Sequence, residues 1–395
     1  MSQLPADRRE TWITGIGLVS SLGDGLSENW VALRCGHINV DLEKYAPWMV
    51  HPLAHLNLVS QIPRKGDQRQ MEAWQRIGTY AAGLALDSAG IKDNKKILAR
   101  TDMIVAAGGG ERDLDVDAAI LTTRADGRSG ALNERLMNDL RPTLFLAQLS
   151  NLLAGNISIV HGVSGSSRTF MGEEAAGVDA VRIAWAKIAS GQSEIALVGA
   201  AHNGERKEML MLYECGGFNL KKHFASVWSR SGGGFALGSG GAFLVLEGRT
   251  HAERRGVKPF ARLVNVVSGR SCRSVAGGIQ SLLERLWASL SVTETPPAIY
   301  TGATGASVAT DEEAAFLAAH PDAVVRALGT SFGHLSEAQF PLALALASLS
   351  ISRGALIPPN DTSGRELESE FMPSQVVVVG VGHCRGEGMA LVEAV

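Results

Sequence analysis

Residues 165–186, GSSRTFMGEEAAGVDAVRIAWA, run from a small-residue turn through two adjacent glutamates into an apolar pattern at helical spacing. Gly165, Ser166 and Ser167 read as a turn, Thr169, Phe170 and Met171 as a short buried strand, and the helical spacing sets in from Ala175 onward. A strand that turns sharply into a buried helix suits a nucleophile, because the helix N-terminus stabilises negative charge there. This corner offers the carboxylates of Glu173 and Glu174 and no cysteine beside them.

The other residues with chemical potential are scattered. His334 follows a glycine in SFGH, and Cys384 lies beside His383 in the terminal GHCRGEG turn, where no helix start or oxyanion donor accompanies it. Cys215, in YECGGF, reads as a small buried hydrophobe. The triple glycine 108–110 lacks the Lys-Ser/Thr that a phosphate loop requires. Arg64, Lys65 and Arg69 cluster at a helix start, where such charges either face solvent or steer an acidic partner.

These residues sit in a chain of 395 amino acids, 45% hydrophobic and 19% charged, a globular and core-rich composition. The 45 glycines predict many tight turns and close backbone approaches. A net charge of −3 gives no pull toward nucleic acid or anionic membrane. The four cysteines show no Cys-x-x-Cys spacing, so neither a zinc site, another metal centre nor a disulfide frame is expected. MSQLPADRRE has no apolar signal core and no apolar run approaches the ~18 residues of a membrane span, so a reducing, cytoplasmic setting is expected.

Strands are predicted at residues 11–23, 102–113, 193–203 and 260–269, and long helices over 67–91 and 143–162. Residues 114–140 read as an irregular surface excursion. GGGFALGSGGAFLVLEG (232–248) and VVVVGVGHCRGEGMALVEAV (376–395) each read as two apolar segments split by a glycine turn, a hairpin signal. The order strand, helix, strand and hairpin thus occurs twice, which predicts a duplicated α/β unit with two helix-covered sheets. No linker separates the halves, residues 1–250 and 251–395, so one fused body is expected.

TGIGLVSSLG, PRKGDQRQMEAW, NISIVHGVSGSS, GFALGSGGAFLVLE with HAERRG, SFGHLSEAQ and the terminal GVG turn follow one another along the whole chain. In that order they resemble a β-ketoacyl-acyl-carrier-protein synthase of the elongating, thiolase-fold type. The resemblance implies a five-layered αβαβα fold, a dimer paired through the strand at residues 168–171, carrier-protein docking at Arg64, Lys65 and Arg69, and no cofactor. Arg206, Lys207, Lys221 and Lys222 extend the expected docking patch.

The family's chemistry uses a cysteine that takes the acyl group as a thioester and two histidines that assist decarboxylation and stabilise the enolate. Matched to the family's Ala-Cys-x-x-Gly run, Glu174 stands in the cysteine's place. Thr301, in IYTGATGAS, stands in that of the first histidine, and His334 is the second. Gly329 replaces the lysine that opens the His334 motif, and Val381 the phenylalanine gate. A glutamate cannot hold a stable acyl thioester, and its charge would repel a malonyl carboxylate. The resemblance therefore implies a chain-length-factor-like protein of fatty acid or polyketide synthesis, with Glu174 as a hydrogen-bonded plug and an active ketosynthase as its heterodimer partner. Two alternatives stand beside it. One is an active synthase or malonyl decarboxylase using Glu174 and His334, and the other a homodimeric carrier-protein binder.

Overall fold

The computed structural model describes residues 9–125, 130–140, 148–221, 223–294, 296–370 and 372–395. Ten strands carry the architecture: β1 (Thr11–Ser20), β2 (Asp102–Ala107), β3 (Ser167–Met171), β4 (Ile195–His202), β5 (Gly240–Gly248), β6 (Ala261–Gly269), β7 (Ala298–Thr301), β8 (Val324–Ala327), β9 (Gln375–Val381) and β10 (Glu387–Glu393). In space the first five run β3-β2-β4-β5-β1 and the second five β8-β7-β9-β10-β6, the same order twice. In each half the first three of that order pair in parallel and the remaining pairings are antiparallel. The halves meet where Thr11, Trp12 and Ile13 of β1 pair with Leu263, Arg262 and Ala261 of β6. With the short strand Gly23–Asp24 added to β1, the two expected sheets run on as one sheet of eleven strands.

Five helices matter for the site: α1 (Ala73–Ser88), α2 (Glu174–Ala189), α3 (Lys207–Cys215), α4 (Ser307–Ala318) and α5 (Gln339–Arg353). α5 is apolar all round, and every residue from Phe340 to Ile351 is buried, as a helix enclosed on all sides must be. It packs against α2, and both lie between the halves of the sheet. α1 and the helix Leu152–His161 cover the outer face of the first half, and Gly278–Ala288 with α4 cover that of the second. Helix, sheet, helix, sheet and helix therefore stack as five layers. Each side of this stack buries its own apolar cluster, with Ile104, Val181 and Leu344 in the central one.

Two details explain motifs that the sequence only marks. Arg255 of HAERRG donates to Glu247 at the end of β5 and to Ala89 O after α1, tying two layers together. Gly177 lets α2 close onto the turn after His334, since a Cβ there would lie 2.3 Å from Glu337 O.

Four expectations are corrected. The segments within residues 232–248 form no hairpin: Leu237–Gly238 pairs with Val50–His51, while β5 inserts between β1 and β4. Residues 114–140 hold two helices, Leu114–Ala125 and Ala131–Asn138. The described part of the helix expected at 143–162 is Leu152–His161. β3 is not buried, because it forms the sheet's edge and leaves Met171 75% exposed. Among the described residues, no helix is long and apolar enough to cross a membrane.

Candidate active site

Glu174 is the first residue of α2 and follows Gly172, whose φ of 150° turns the chain out of β3. The helix start thus lies where the sequence places it, and Glu174 is buried there. Its Oε1 accepts hydrogen bonds from the backbone N–H of His383 (3.0 Å) and from His383 Nδ1 (2.9 Å). His334 Nε2 lies 3.6 Å from the same oxygen. His383 is held by the turn between β9 and β10, where Gly382 N–H donates to Gly386 O.

Burial would by itself neutralise both members of the Glu174–His383 pair. Their neighbours win: His334 and then the hydrogen bonds and charge of His383 hold the carboxyl well below its usual range, and Glu174 holds the His383 imidazole above its own. His334 behaves differently: burial pushes it down to about 3 against the opposing pull of Glu174, so it is neutral at physiological pH. Its backbone is fixed by N–H donation to Ala236 O and by acceptance from Gly238 N–H. The ring stacks on Phe235 at 4.2 Å, with Tyr213 edge-on at 5.8 Å. Tyr213, Phe218 and Phe235 also surround His383. The two histidines and the glutamate therefore share one aromatic box.

Beside this box lies a cavity of about 470 Å³ lined by Trp74, Met171, Glu173, His202, Tyr213 and Arg385 among others. Glu173 reaches it, whereas Glu174, His334 and His383 do not line it. On the cavity wall Glu337, buried, accepts from Gly108 N–H and lies 3.8 Å from His202 Nδ1.

The remaining predicted residues lie apart. Thr301 ends β7, buried, with its hydroxyl oxygen accepting from Ala303 N–H. Val381 ends β9, buried and paired with Glu387. Gly329 starts a short helix, Gly329–Phe332, at a spot where a Cβ would lie 2.5 Å from Ala303 O. Backbone thus fills the place of any side chain. Arg64, Lys65 and Arg69 are exposed around the short helix Lys65–Gln70, with Lys207 exposed and Lys221 paired to Glu214. Arg206 does not extend this patch, because it is buried and committed to Glu208, Gly109 O and Gly110 O. Lys222 lies outside the described residues. Sequence reasoning missed His383, whose only signal was its position beside Cys384 in a glycine turn. Cys384 is exposed, and burial of its thiol with Glu173 and Glu174 nearby raises its pKa, which disfavours a thiolate.

Residues 8–252 match the family profile of the β-ketoacyl synthase N-terminal domain. The chain is similar to 3-oxoacyl-[acyl-carrier-protein] synthase 2 of Vibrio harveyi, 25% identical over 273 residues. That alignment covers 65% of this chain and 62% of the relative, so the chain spans about three fifths of that relative's length. Similarity to the tetracenomycin polyketide synthase ketoacyl synthase beta subunit of Streptomyces glaucescens runs longer, 26% identical over 370 residues, 89% of this chain and 88% of the relative. Among solved structures, the ishigamide ketosynthase/chain length factor superposes with a TM-score of 0.80 at 20% identity, over 98% of this chain and 100% of that one. A type II PKS ketosynthase in complex with its acyl-carrier protein gives 0.75 at 17% identity over the same shares. Both superpositions establish a shared fold.

Proposed function

The chain belongs to the β-ketoacyl synthase family, and on that premise we propose that it is a catalytically silent partner subunit in fatty acid or polyketide synthesis. It pairs with an active ketosynthase and shapes the acyl cavity in the manner of a chain-length factor. One observation carries this reading. The residue at the start of α2 is a carboxylate that His383 binds twice and that does not line the cavity. A carboxylate at that point cannot hold a thioester, and its charge opposes entry of malonate. Thr301 offers a hydroxyl already engaged with Ala303 N–H, where the family reaction needs an imidazole donor.

Pairing through β3 suits this role, since the strand is an unpaired sheet edge carrying the exposed Met171. Arg64, Lys65 and Arg69 supply an exposed basic face for an acidic carrier protein. The alternative, a decarboxylase or synthase using Glu174 and His334, draws on their 3.6 Å separation. It requires His334 to donate to an enolate oxygen from a position enclosed by Phe235, Tyr213 and His383.

The test is to supply the purified chain with acyl- and malonyl-carrier protein, alone and after co-expression with a ketosynthase encoded beside it. A mixed dimer in native mass spectrometry, with turnover only in the mixed form, is the expected result. Carbon dioxide release or condensation by the chain alone would overturn it.

A further inference from the structure

Glu174, His334 and His383 each present a ligand atom, and these atoms all lie within 4.8 Å of one another. All three residues are more than nine-tenths buried. Hydrogen bonding accounts for only part of what they offer: among the described residues, Glu174 Oε2 and both ring nitrogens of His334 have no hydrogen-bond partner. A buried polar atom without a partner is costly, so such atoms in a folded interior call for a group that completes them. We propose that Glu174, His334 and His383 form a binding site for a divalent transition-metal ion of the zinc class. This goes beyond the functional reading above and holds whether or not the subunit is silent in condensation.

The chemistry of the donors selects the ion. Two imidazoles and one carboxylate suit zinc, cobalt or nickel and offer too few oxygens for calcium or magnesium. Zinc bonds of about 2.0–2.2 Å at tetrahedral angles place ligand atoms about 3.3–3.6 Å apart. The 3.6 Å from His334 Nε2 to Glu174 Oε1 already meets this. His383 Nδ1, at 2.9 Å from the same oxygen, would move outward by about half an ångström as a metal bond replaces its hydrogen bond. Glu174 Oε2 can then bind as a second carboxylate oxygen.

The surroundings hold the ligands as a metal site requires. The His334 ring is clamped between Phe235 and the edge of Tyr213, so little rotamer freedom is lost on binding. When His383 binds through Nδ1, its proton resides on Nε2, which lies 3.9 Å from Glu173 Oε1. That distance is beyond a hydrogen bond, and a shift of about 1 Å would let Glu173 accept the Nε2 proton, fixing the tautomer and raising the ring's basicity. Glu173 also lines the cavity, so it stands between that cavity and the three ligands. A second trio, Glu173, His383 and Cys384, meets the same distance limit, but Cys384 is exposed and Glu173 only partly buried.

The site is tested by stripping the protein with a chelator and titrating it with Co²⁺, then with Zn²⁺. Expected are one bound Co²⁺ per chain with the visible absorption of a four- or five-coordinate ion, displacement by Zn²⁺, and a rise in melting temperature with Zn²⁺. His334→Ala and His383→Ala should each weaken Co²⁺ binding by about 100-fold or more, and Glu173→Gln by about tenfold. Should the alanine variants fail to fold, His334→Gln and His383→Asn replace them, with the wild-type stoichiometry and spectrum deciding if they too fail. The proposal falls if the wild type takes up less than one Co²⁺, if the His334 variants bind as wild type, or if Cys384→Ser abolishes binding. Because metal uptake is read without any condensation assay, its failure leaves the silent-subunit reading standing, and turnover by the chain alone would leave the metal site standing.

Discussion

Glu174 and His383 lie 209 residues apart in the chain, yet one oxygen of the glutamate takes both the backbone N–H and the ring Nδ1 of the histidine. The start of α2 and the turn between β9 and β10 are thereby fastened together. Removing the carboxylate leaves a buried imidazole and a buried N–H without their acceptor. Glu174→Ala is expected to destabilise the protein by on the order of 3 kcal/mol in denaturant unfolding. A loss under about 1 kcal/mol would mean that the contact is not structural.

Restoring the thiol alone is expected to fail. Glu174→Cys supplies a nucleophile at a helix start, but on the proposed reading Thr301 still stands for the first histidine and Val381 for the gate. Mass spectrometry should find little acyl-enzyme after incubation with acyl-carrier protein, and no condensation product. Condensation by this single variant would sink the silent-subunit reading.

Gly329, which the resemblance matches to the family's lysine, is closed in by backbone. Building any side chain at Gly329 brings a Cβ to 2.5 Å from Ala303 O and 3.1 Å from Thr304 Cα. Gly329→Lys should therefore cost about 1–3 kcal/mol, as overpacking of a tight interior does, and should not add activity to Glu174→Cys/Thr301→His. Unfolding midpoints of the single and triple variants measure this directly.

A pH effect is written into Glu313 of α4. Its carboxyl is fully buried and, among the described residues, accepts only from Gly302 N–H, the second oxygen having no partner there; burial raises its pKa to about 8. The folded state then holds a proton that the unfolded chain has released at any pH between the ordinary glutamate value of 4.5 and about 8. Folding takes up a proton over that window, so the Glu313 contribution to stability falls as pH rises through it and levels off above. Glu313→Gln keeps an acceptor for Gly302 and removes the titration. Its melting temperature should exceed that of wild type at pH 8 and converge with it near pH 4.5. Parallel pH–stability curves for the two proteins would contradict this.

How much of this was legible in the sequence follows from the range of the forces involved. The doubled strand order is local patterning repeated, and it was readable from the terminal hairpin and the two restarts at residues 11 and 260. The helix start at Glu174 was readable for the same reason. His383 was not, because its role depends on a turn closing over α2 from the far end of the chain, and nothing in GHCRGEG specifies that distance. The segment GFALGSGG misled because two apolar runs across a glycine turn look alike whether they pair with each other or, as here, with Val50–His51 and β1. Arg206 was expected to extend the basic docking patch, and its burial against Gly109 and Gly110 removes it.

The exposed charges make the last prediction. Arg64, Lys65 and Arg69 stand at and along the short helix Lys65–Gln70, all three open to solvent. Exposed ion pairs contribute at most about 1 kcal/mol each, so no single reversal should abolish an interaction with an acidic carrier protein. Together they act on encounter, because a cluster of one sign concentrates an oppositely charged partner at the surface and loses that effect as salt rises. Changing all three to glutamate is expected to weaken carrier-protein binding by about tenfold at low ionic strength, chiefly through a slower association rate. The difference from wild type should shrink in 0.5 M salt, where the screening length falls to roughly 4 Å. Surface plasmon resonance at two salt concentrations separates the rates. An unchanged association rate at low salt would place the docking face elsewhere on the molecule.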